Sequence, residues 1–268
     1  MGSLQSFPSV VPNVSGLPRS PTHLSRAPLA RSLENPYIPP KMRWTAIILF
    51  SSLVIVGCRA QKAPSPTTAA LWQFQARYPA LSASGQIVVA QADSAGAFTG
   101  RLYGAEQQPD SSWVVAFDTI GVTFGAAGVA PLGEKREGDQ RSPSGAFGLG
   151  PAFGYDAMPG LSIPYINLEA DHYWISESTS PRYNQLVRGV PQESNVEKML
   201  REDELYEYGL VVQYNTQGPV PGMGSAIFIH VGRGMNDPTL GCIAMGRPQM
   251  IRLLRWLEAG QNPMIVME

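Results

Sequence analysis

Residues 225–242 of the chain read SAIFIHVGRGMNDPTLGC, an apolar run followed by a polar, glycine-rich loop that ends in a cysteine. The run at 225–231 is almost continuously apolar, which predicts a strand buried in the middle of its sheet. His230 therefore falls near the end of this strand. Gly241 lets the backbone turn so that consecutive N–H groups can face one point. The segment predicts an imidazole at a strand end, followed by the thiol of Cys242 on a turn.

The surrounding sequence is rich in strands and poor in helices. Short apolar runs at 86–90, 112–117 and 210–214 are bounded by Gly, Asp or Pro, which is typical of strands. Residues 264–267 can return as an edge strand. One amphipathic helix is predicted after Gly246, and its apolar stripe precedes a stop at Gly260 and comprises Met250, Leu253, Leu254 and Leu257.

The residue types in this segment point to thiol chemistry. A thiol becomes a strong nucleophile when a base removes its proton, and a fixed histidine can do so while becoming a stabilising imidazolium. His230 and Cys242 are therefore a candidate catalytic pair. Their spacing leaves two other interpretations open, a buried apolar cysteine beside a core histidine and a metal site. The metal site is the weaker one, because one Cys and one His fall short of the three or four ligands of a zinc site.

Length and charge limit the classes of function. The chain has 268 residues, 44% of them hydrophobic, which suffices for one principal domain plus a targeting region. Its formal net charge is −1 and its pI is about 6.3. Such a chain lacks the basic field that binds nucleic acid through counterion release, so nucleic acid is not an expected partner.

The N-terminal region has the layout of an export signal. Residues 1–41 are interrupted by many prolines, which predicts disorder or an extension upstream of a start at Met42. Residues 42–58 run from basic to apolar and close on Ile-Val-Gly-Cys, which resembles the lipobox of a lipoprotein-type signal peptide. Lipidation is therefore expected on Cys58. A plain secretory signal or an uncleaved membrane anchor stays open.

The remainder divides into a tether and a domain. Residues 59–80 are small, polar and Pro-containing, which predicts a linker, and residues 71–78 can add one short helix. The principal domain is expected at 81–268. If Cys58 carries lipid, Cys242 has no disulfide partner in the chain, and an unpaired thiol in an oxidising compartment calls for a chemical role.

Two separated blocks of sequence resemble the same family. Residues 239–242, TLGC, preceded by His230, resemble the catalytic block of the L,D-transpeptidase (YkuD-type) family. Residues 138–147, GDQRSPSGAF, resemble the family's Gly-Asp-x-x-Thr-Pro-x-Gly-x-Phe loop, with Ser142 where Thr is commoner. Further matched segments are similar to an exported, lipoprotein-like branch of this family. The resemblance covers roughly residues 85–268.

The resemblance implies both a fold and a mechanism. The implied fold is mainly β, with mixed, β-sandwich-like sheets, one or two peripheral helices and the cysteine in a surface groove. Cys242 would attack the carbonyl of the L-centred third residue of a peptidoglycan stem and form a thioester, with His230 as its base. The N–H groups of Gly241 and Cys242 would form the oxyanion hole. No cofactor or metal is implied. The expected substrate contacts are Tyr183, Asn184, Arg233 and Thr239.

The resemblance also implies a role and partners. The expected role is an acyltransferase that forms or exchanges cross-links in cell-wall remodelling. Its expected partners are peptidoglycan stem peptides and, through the lipid on Cys58, a membrane of the cell envelope or periplasm. The chain is expected to be a monomer. The acceptor stays open among a stem amine, a D-amino acid, a protein and water, and the choice between inner and outer membrane stays open as well.

Two departures from the family pattern leave alternative functions open. Leu240 stands where the fuller signature has His, and Ala244 replaces an Arg or Asn that often follows the cysteine. A wall-binding lipoprotein that has lost turnover is therefore one alternative, because a fold does not guarantee function. Another exported cysteine peptidase is the second. The order of His before Cys argues against a papain-like enzyme, in which the cysteine comes first.

Overall fold

The computed structural model describes residues 66–268. The predictions for residues 1–41 and 42–58, including lipidation of Cys58, lie outside this range. The helices are α1 (Pro66–Arg77) and α2 (Arg247–Trp256), and short 3-10 helices cover Pro79–Ala83 and Ala259–Gln261. The strands are β1 (Gln86–Ala92), β2 (Thr99–Gln107), β3 (Trp113–Thr123), β4 (Gly145–Gly154), β5 (Tyr165–Asn167), β6 (His172–Ile175), β7 (Leu186–Arg188), β8 (Val196–Lys198), β9 (Tyr208–Val212), β10 (Phe228–Val231), β11 (Ile243–Met245) and β12 (Met264–Met267).

The predicted fold class is confirmed. Nine strands form one sheet in the order β12-β1-β2-β3-β11-β10-β9-β4-β5, and β12 also pairs with β4, so the sheet closes on itself. The pairing is mixed, because β1 with β12 and β10 with β11 are parallel whereas β1 with β2 and β9 with β10 are antiparallel. A second, three-stranded sheet has the order β7-β6-β8. The fold of the described residues is therefore mainly β, with two helices at its periphery.

The position of β12 corrects one prediction. The sequence favours an edge strand at residues 264–267, but β12 lies between β1, its parallel partner, and β4, its antiparallel partner. All four side chains of β12 are buried. The run Met-Ile-Val-Met is apolar at every position, which suits a strand covered on both faces. The uniform apolarity was the better guide to its place in the sheet.

The end of α2 differs from the prediction for a physical reason. The apolar stripe packs into the main core as expected, but the helix ends at Trp256 and not at Gly260. Leu257 has an extended backbone, and the buried Gln86 side chain donates to the Trp256 carbonyl at 2.9 Å and accepts from Glu258 N–H at 2.8 Å. A side chain from β1 therefore caps the helix where its own carbonyls lose partners.

Strand β10 is shorter than predicted at its start. Ala226 has a φ of +52°, and its N–H donates to Asn184 Oδ1 at 3.0 Å and not to a neighbouring strand. The ladder therefore begins at Phe228, and His230 occupies the predicted position near the strand end. The three-stranded sheet packs on this region, because Trp174 of β6 stacks edge-on against Phe228 with ring centroids 4.9 Å apart.

Helix α1 begins at Pro66 and ends at Arg77, so it starts earlier than the short helix predicted at 71–78 and ends one residue before it. Leu71 and Phe74 are buried in a cluster with Leu81 and Ile87. Part of the predicted linker therefore packs against the domain. Neither helix in the described part of the chain has the length and apolarity needed to cross a membrane.

Candidate active site

The parallel pairing of β10 and β11 brings His230 and Cys242 to the same face. Ile229 pairs with Ile243 and His230 pairs with Ala244. Because side chains alternate along a strand, His230 shares a face with Ala244 and with Cys242, which lies two residues before Ala244. The Phe228 N–H points at Cys242 Sγ at 3.4 Å, which fixes the sulfur beside β10. The two candidate residues therefore line one groove, which has a volume of about 930 Å³.

The sulfur of Cys242 is deeply buried. Its thiol donates to the Ala226 carbonyl at 3.3 Å, and only 9% of the residue is exposed. Burial raises the pKa of Cys242 to about 12, the negative charge of Glu197 acts in the same direction, and the Phe228 N–H opposes them. The resting group is therefore a thiol, and a base must take its proton before or during nucleophilic attack.

His230 is held in the form that can act as this base. Its Nδ1 lies 2.7 Å from the carbonyl oxygen of Val231, so that Nδ1 carries the proton and Nε2 is left as the acceptor. Burial lowers the pKa of His230 to about 4, and the hydrogen bond to Val231 opposes this shift. The ring also packs edge-on against Tyr206, with centroids 5.3 Å apart. At neutral pH the imidazole is therefore uncharged and oriented.

The two sequence blocks that resemble the family meet at one atom, the carbonyl oxygen of Cys242. Thr239 Oγ1 donates to it at 2.8 Å and Ser142 Oγ donates to it at 3.1 Å. Ser142 also accepts from Gly125 N–H at 3.0 Å. Ser142 and Thr239 thus hold the backbone of the nucleophile from two sides, although a hundred residues separate Ser142 from Cys242.

The backbone at Gly241 is strained for any other residue. Its φ is +153°, and a Cβ there would lie 3.0 Å from the Arg141 carbonyl oxygen. The Gly241 N–H donates to Thr239 Oγ1 at 3.1 Å. Among the described residues no acceptor takes the Cys242 N–H. Of the two predicted oxyanion donors, the Cys242 N–H is therefore open, whereas the Gly241 N–H already donates to a residue of its own loop.

Tyr183 and Asn184 are buried and do not line the groove. Tyr183 donates from its hydroxyl to Glu137 and accepts from Gly224 N–H at 3.1 Å. Asn184, at a φ of +58°, accepts from the Trp174 indole and from Ala226 N–H. Because Ala226 O is the acceptor for the Cys242 thiol, the geometry supports a positioning role through the backbone and not a direct contact with substrate.

The opposite side of the groove carries charges that the sequence motifs do not mark. Arg201 donates to Glu197 Oε1 at 2.9 Å and to both oxygens of Asp203, at 2.8 and 2.7 Å. The hydrogen bonds from Arg201 lower the pKa of Asp203 to about 2, against the effect of burial. Tyr206 donates to Glu197 Oε1 at 2.6 Å. No local pattern predicts this network, because Glu197 and Arg201 lie outside any helix that would bring them together.

Arg233 and Thr239, two predicted substrate contacts, do line the groove. Arg233 is already paired, because its two Nη atoms donate to Asp203 Oδ2 at 2.8 Å and Asp237 Oδ2 at 3.1 Å. A substrate carboxylate would therefore compete with these ion pairs. Within residues 66–268, no group of three or more His, Cys, Asp or Glu side chains is arranged to hold a metal ion.

Comparison with known proteins identifies the family of the domain. Residues 102–266 match the family model of the YkuD L,D-transpeptidase catalytic domain, a range that includes Ser142, His230 and Cys242. Comparison with curated proteins gives no match. The family match covers more than half of the 268 residues. The chain therefore belongs to the YkuD family of L,D-transpeptidase catalytic domains.

Proposed function

We propose that this chain is an exported cysteine acyltransferase that forms or exchanges peptidoglycan cross-links, with Cys242 as nucleophile and His230 as base. The observation that carries the proposal is the pairing of β10 with β11, which brings both side chains to one face and into one groove. Membership of the YkuD family supports the reaction class. The residues of the site, and not the fold alone, indicate the function, because one fold can host many activities.

In the first half-reaction, Cys242 Sγ attacks the carbonyl of the third residue of a tetrapeptide stem while His230 Nε2 takes the thiol proton. The oxyanion accepts from Cys242 N–H, and Gly241 N–H becomes the second donor when it leaves Thr239 Oγ1. Collapse of the tetrahedral intermediate breaks the amide bond, and the terminal D-Ala leaves with the proton from His230. A thioester on Cys242 remains.

The resting pair is neutral in this proposal. The pKa of Cys242 is raised and that of His230 is lowered, both chiefly by burial, so a preformed thiolate–imidazolium pair is disfavoured. Proton transfer then accompanies the attack on the substrate. This arrangement keeps the thiol slow to react with simple alkylating agents, which do not resemble the substrate.

In the second half-reaction an amine attacks the thioester and a new cross-link or an exchanged stem terminus is formed. The chain's own residues suffice for both half-reactions, because thiol, imidazole and backbone donors supply nucleophile, base and electrostatic stabilisation. The role that follows is cell-wall remodelling. We further propose a monomer tethered to a membrane through lipid on Cys58, a residue outside the described range.

The test uses the full chain with a carbapenem and with a tetrapeptide-stem muropeptide, and measures the mass of the peptide that contains Cys242. We expect a covalent adduct and release of D-Ala, both lost in Cys242→Ala and strongly slowed in His230→Ala. Cys58→Ser is the matched control, since it removes the other thiol and should keep the adduct.

The lipid anchor has a separate readout, the mass of the mature N-terminus, which should begin at a lipidated Cys58. If the folded protein forms no adduct and releases no D-Ala, the transpeptidase proposal is wrong. A wall-binding protein without turnover would then fit the chain better. If the stem is hydrolysed and amines are never incorporated, a cysteine peptidase would be the better description.

A further inference from the structure

Glu197 of β8 lines the same groove as both candidate catalytic residues. Its Oε1 accepts from Tyr206 Oη at 2.6 Å and from Arg201 Nη1 at 2.9 Å. The ring of Tyr206 in turn packs against His230, with centroids 5.3 Å apart. The charge of Glu197 also contributes to the raised pKa of Cys242. One hydrogen bond and one ring contact therefore connect this carboxylate to the base of the proposed reaction.

The second oxygen of Glu197 is available to a ligand. Among the described residues no donor reaches Oε2, and 27% of the side chain is exposed where it lines the groove. Arg201 does not neutralise Glu197 fully, because two of its nitrogens donate to Asp203. Burial raises the pKa of Glu197, so its carboxylate is poorly solvated. A partly desolvated carboxylate with one open oxygen is a favourable partner for a cation.

The charge balance of the groove does not oppose a cation. Five carboxylates and four cationic side chains line it, so that its formal charge is slightly negative. The carboxylates are Glu137, Glu197, Glu202, Asp203 and Asp237, and the cations are Lys135, Lys198, Arg201 and Arg233. Of the cations, Arg201 and Arg233 are held in ion pairs with Asp203. A positively charged acceptor can therefore enter without passing a net positive field.

We propose that Glu197 binds the ammonium group of the acyl acceptor and takes its first proton, which makes this groove a site for a primary amine and not for water. The inference rests on the proposed thioester mechanism and assigns a residue that binds and deprotonates its second substrate. An amine of the lysine type has a pKa of about 10.4 and arrives protonated at neutral pH. It cannot attack a thioester until one proton is removed, and a carboxylate with an open oxygen in the same groove can accept that proton.

The proton balance of the second half-reaction follows from this assignment. The ammonium gives one proton to Glu197, and the free amine nitrogen forms a bond to the thioester carbonyl carbon. The nitrogen gives its second proton to His230, which became neutral when D-Ala left. The C–S bond breaks, and His230 returns that proton to the Cys242 sulfur. The products are an amide and a thiol, and the proton on Glu197 passes to solvent.

The experiment measures how the acyl-enzyme of the full chain divides between two acceptors. The thioester is formed with the tetrapeptide-stem muropeptide and then treated at neutral pH with Nα-acetyl-lysinamide, which is protonated, or with hydroxylamine, which is not. In Glu197→Gln we expect transfer to the lysine amine to fall about tenfold or more relative to hydrolysis. Transfer to hydroxylamine should stay close to that of the wild type, and the defect should shrink at a pH of about 9.5 as the free amine becomes available.

Two further variants separate charge from structure. Glu197→Asp keeps the charge but shortens the side chain, and Glu197→Gln keeps the shape but loses the charge. Better amine transfer in the Asp variant than in the Gln variant supports the assignment, and the reverse order overturns it. Glu202→Gln, an exposed carboxylate without a hydrogen bond to Tyr206 or Arg201, is the matched control and should behave like the wild type.

The outcomes also separate this inference from the mechanism on which it rests. If the thioester forms normally and the ratio of amine transfer to hydrolysis is unchanged in Glu197→Gln, the role of Glu197 is wrong and the transpeptidase mechanism stands. An equal fall for both acceptors would assign Glu197 a structural role through Tyr206 and would also overturn the inference. If the wild type forms no thioester, both proposals fall together.

Discussion

The two sides of the groove are built differently. The nucleophile side, formed by β10, β11 and the loop between them, holds Cys242 with backbone and hydroxyl hydrogen bonds from Phe228, Thr239 and Ser142. The charged side, formed by residues 197–206, holds its shape with ion pairs around Arg201. His230 and Cys242 on the first side are buried, whereas about a third of the Arg201 side chain is exposed.

This difference matches two requirements of an acyl-transfer site, which are to hold the reacting groups in fixed positions and to bind a polar substrate. Neutral hydrogen bonds keep their geometry in a buried environment without the cost of desolvating a charge. They suit the side that must hold a thiol and an oxyanion donor in fixed positions. Charged groups near solvent exchange partners more readily and suit the side that meets a polar substrate. Substitutions on the nucleophile side therefore test this division while the charged side stays intact.

The largest effect is expected on the nucleophile side, in His230→Ala. Loss of the base should slow acylation by the tetrapeptide-stem muropeptide by a factor of about 10² to 10⁴. Added imidazole should restore part of the rate, because the substitution leaves a cavity in the groove wall. The rate of D-Ala release measures both. His172→Ala removes another buried histidine, one that does not line the groove, and should leave the rate intact.

The same histidine predicts how stability depends on pH. Burial lowers the folded-state pKa of His230 to about 4, below the value of about 6.5 in an unfolded chain. The unfolded state therefore binds the extra proton first as pH falls, so stability present above pH 6.5 declines toward pH 4. Between about pH 7 and about pH 4.5 this contribution is about 2 kcal/mol.

Urea unfolding of the wild type and of His230→Gln at both pH values isolates this contribution, because the carboxylates titrate alike in the two proteins. The wild type should lose more stability on acidification than the variant. Equal losses in the two proteins would mean that His230 is not held neutral by burial, and the proposed resting state would have to be abandoned.

Much of the nucleophile side could be predicted from the sequence. The apolar run before His230 predicts a central strand, and the block TLGC predicts a turn that presents the thiol; both agree with the structure. What local patterns could not supply was the meeting of Ser142 with the Cys242 carbonyl, because closure of the sheet brings these residues together. The interior place of β12 was missed for the same reason.

The charged side was not predictable in this way. Glu197, Arg201 and Tyr206 lie in short strands and turns that have no periodic signal, and their contacts depend on how the three-stranded sheet packs on the main sheet. The sequence also suggested that Tyr183 and Asn184 touch substrate. Their burial shows that a matched motif residue can support the backbone behind a site without lining it.

Gly241→Ala should have the third-largest effect. A φ of +153° is costly for Ala, and its Cβ would meet the Arg141 carbonyl oxygen at 3.0 Å, so we expect a loss of about 1–3 kcal/mol of stability together with slower acylation. Gly234→Ala is the matched control, since that glycine has a φ of +140° in the same loop but no atom near the added Cβ. Because both glycines have a positive φ, a Gly241→Ala protein as stable and active as Gly234→Ala would contradict a cost from the Arg141 contact. Urea midpoints measure the loss of stability, and the rate of D-Ala release measures acylation.

Removal of the two hydroxyls on the Cys242 carbonyl should have a smaller effect. Ser142→Ala and Thr239→Val are each expected to cost about 1–2 kcal/mol. Each substitution removes a donor to the Cys242 carbonyl and also the acceptor of a backbone N–H, that of Gly125 for Ser142 and that of Gly241 for Thr239. The double variant should cost more than the sum, since the carbonyl then has neither donor. Ser144→Ala is the control, because that buried hydroxyl has no hydrogen-bond partner within residues 66–268 and its loss should be close to neutral. Strictly additive losses would mean that the two hydroxyls act independently.

Leu240→His should have the smallest effect, although it restores the residue of the fuller family signature. The Leu240 side chain is 80% exposed, so its replacement should change stability by less than about 0.5 kcal/mol. A histidine there would have no buried partner to orient it, whereas His230 is fixed by Val231. We therefore expect acylation rates within about threefold of the wild type. Leu132→His, another exposed leucine but outside the groove, is the control for surface change. A tenfold or larger gain in acylation rate that is specific to Leu240→His would show that a histidine in the loop can act as the base. The assignment of His230 as the sole base would then be wrong.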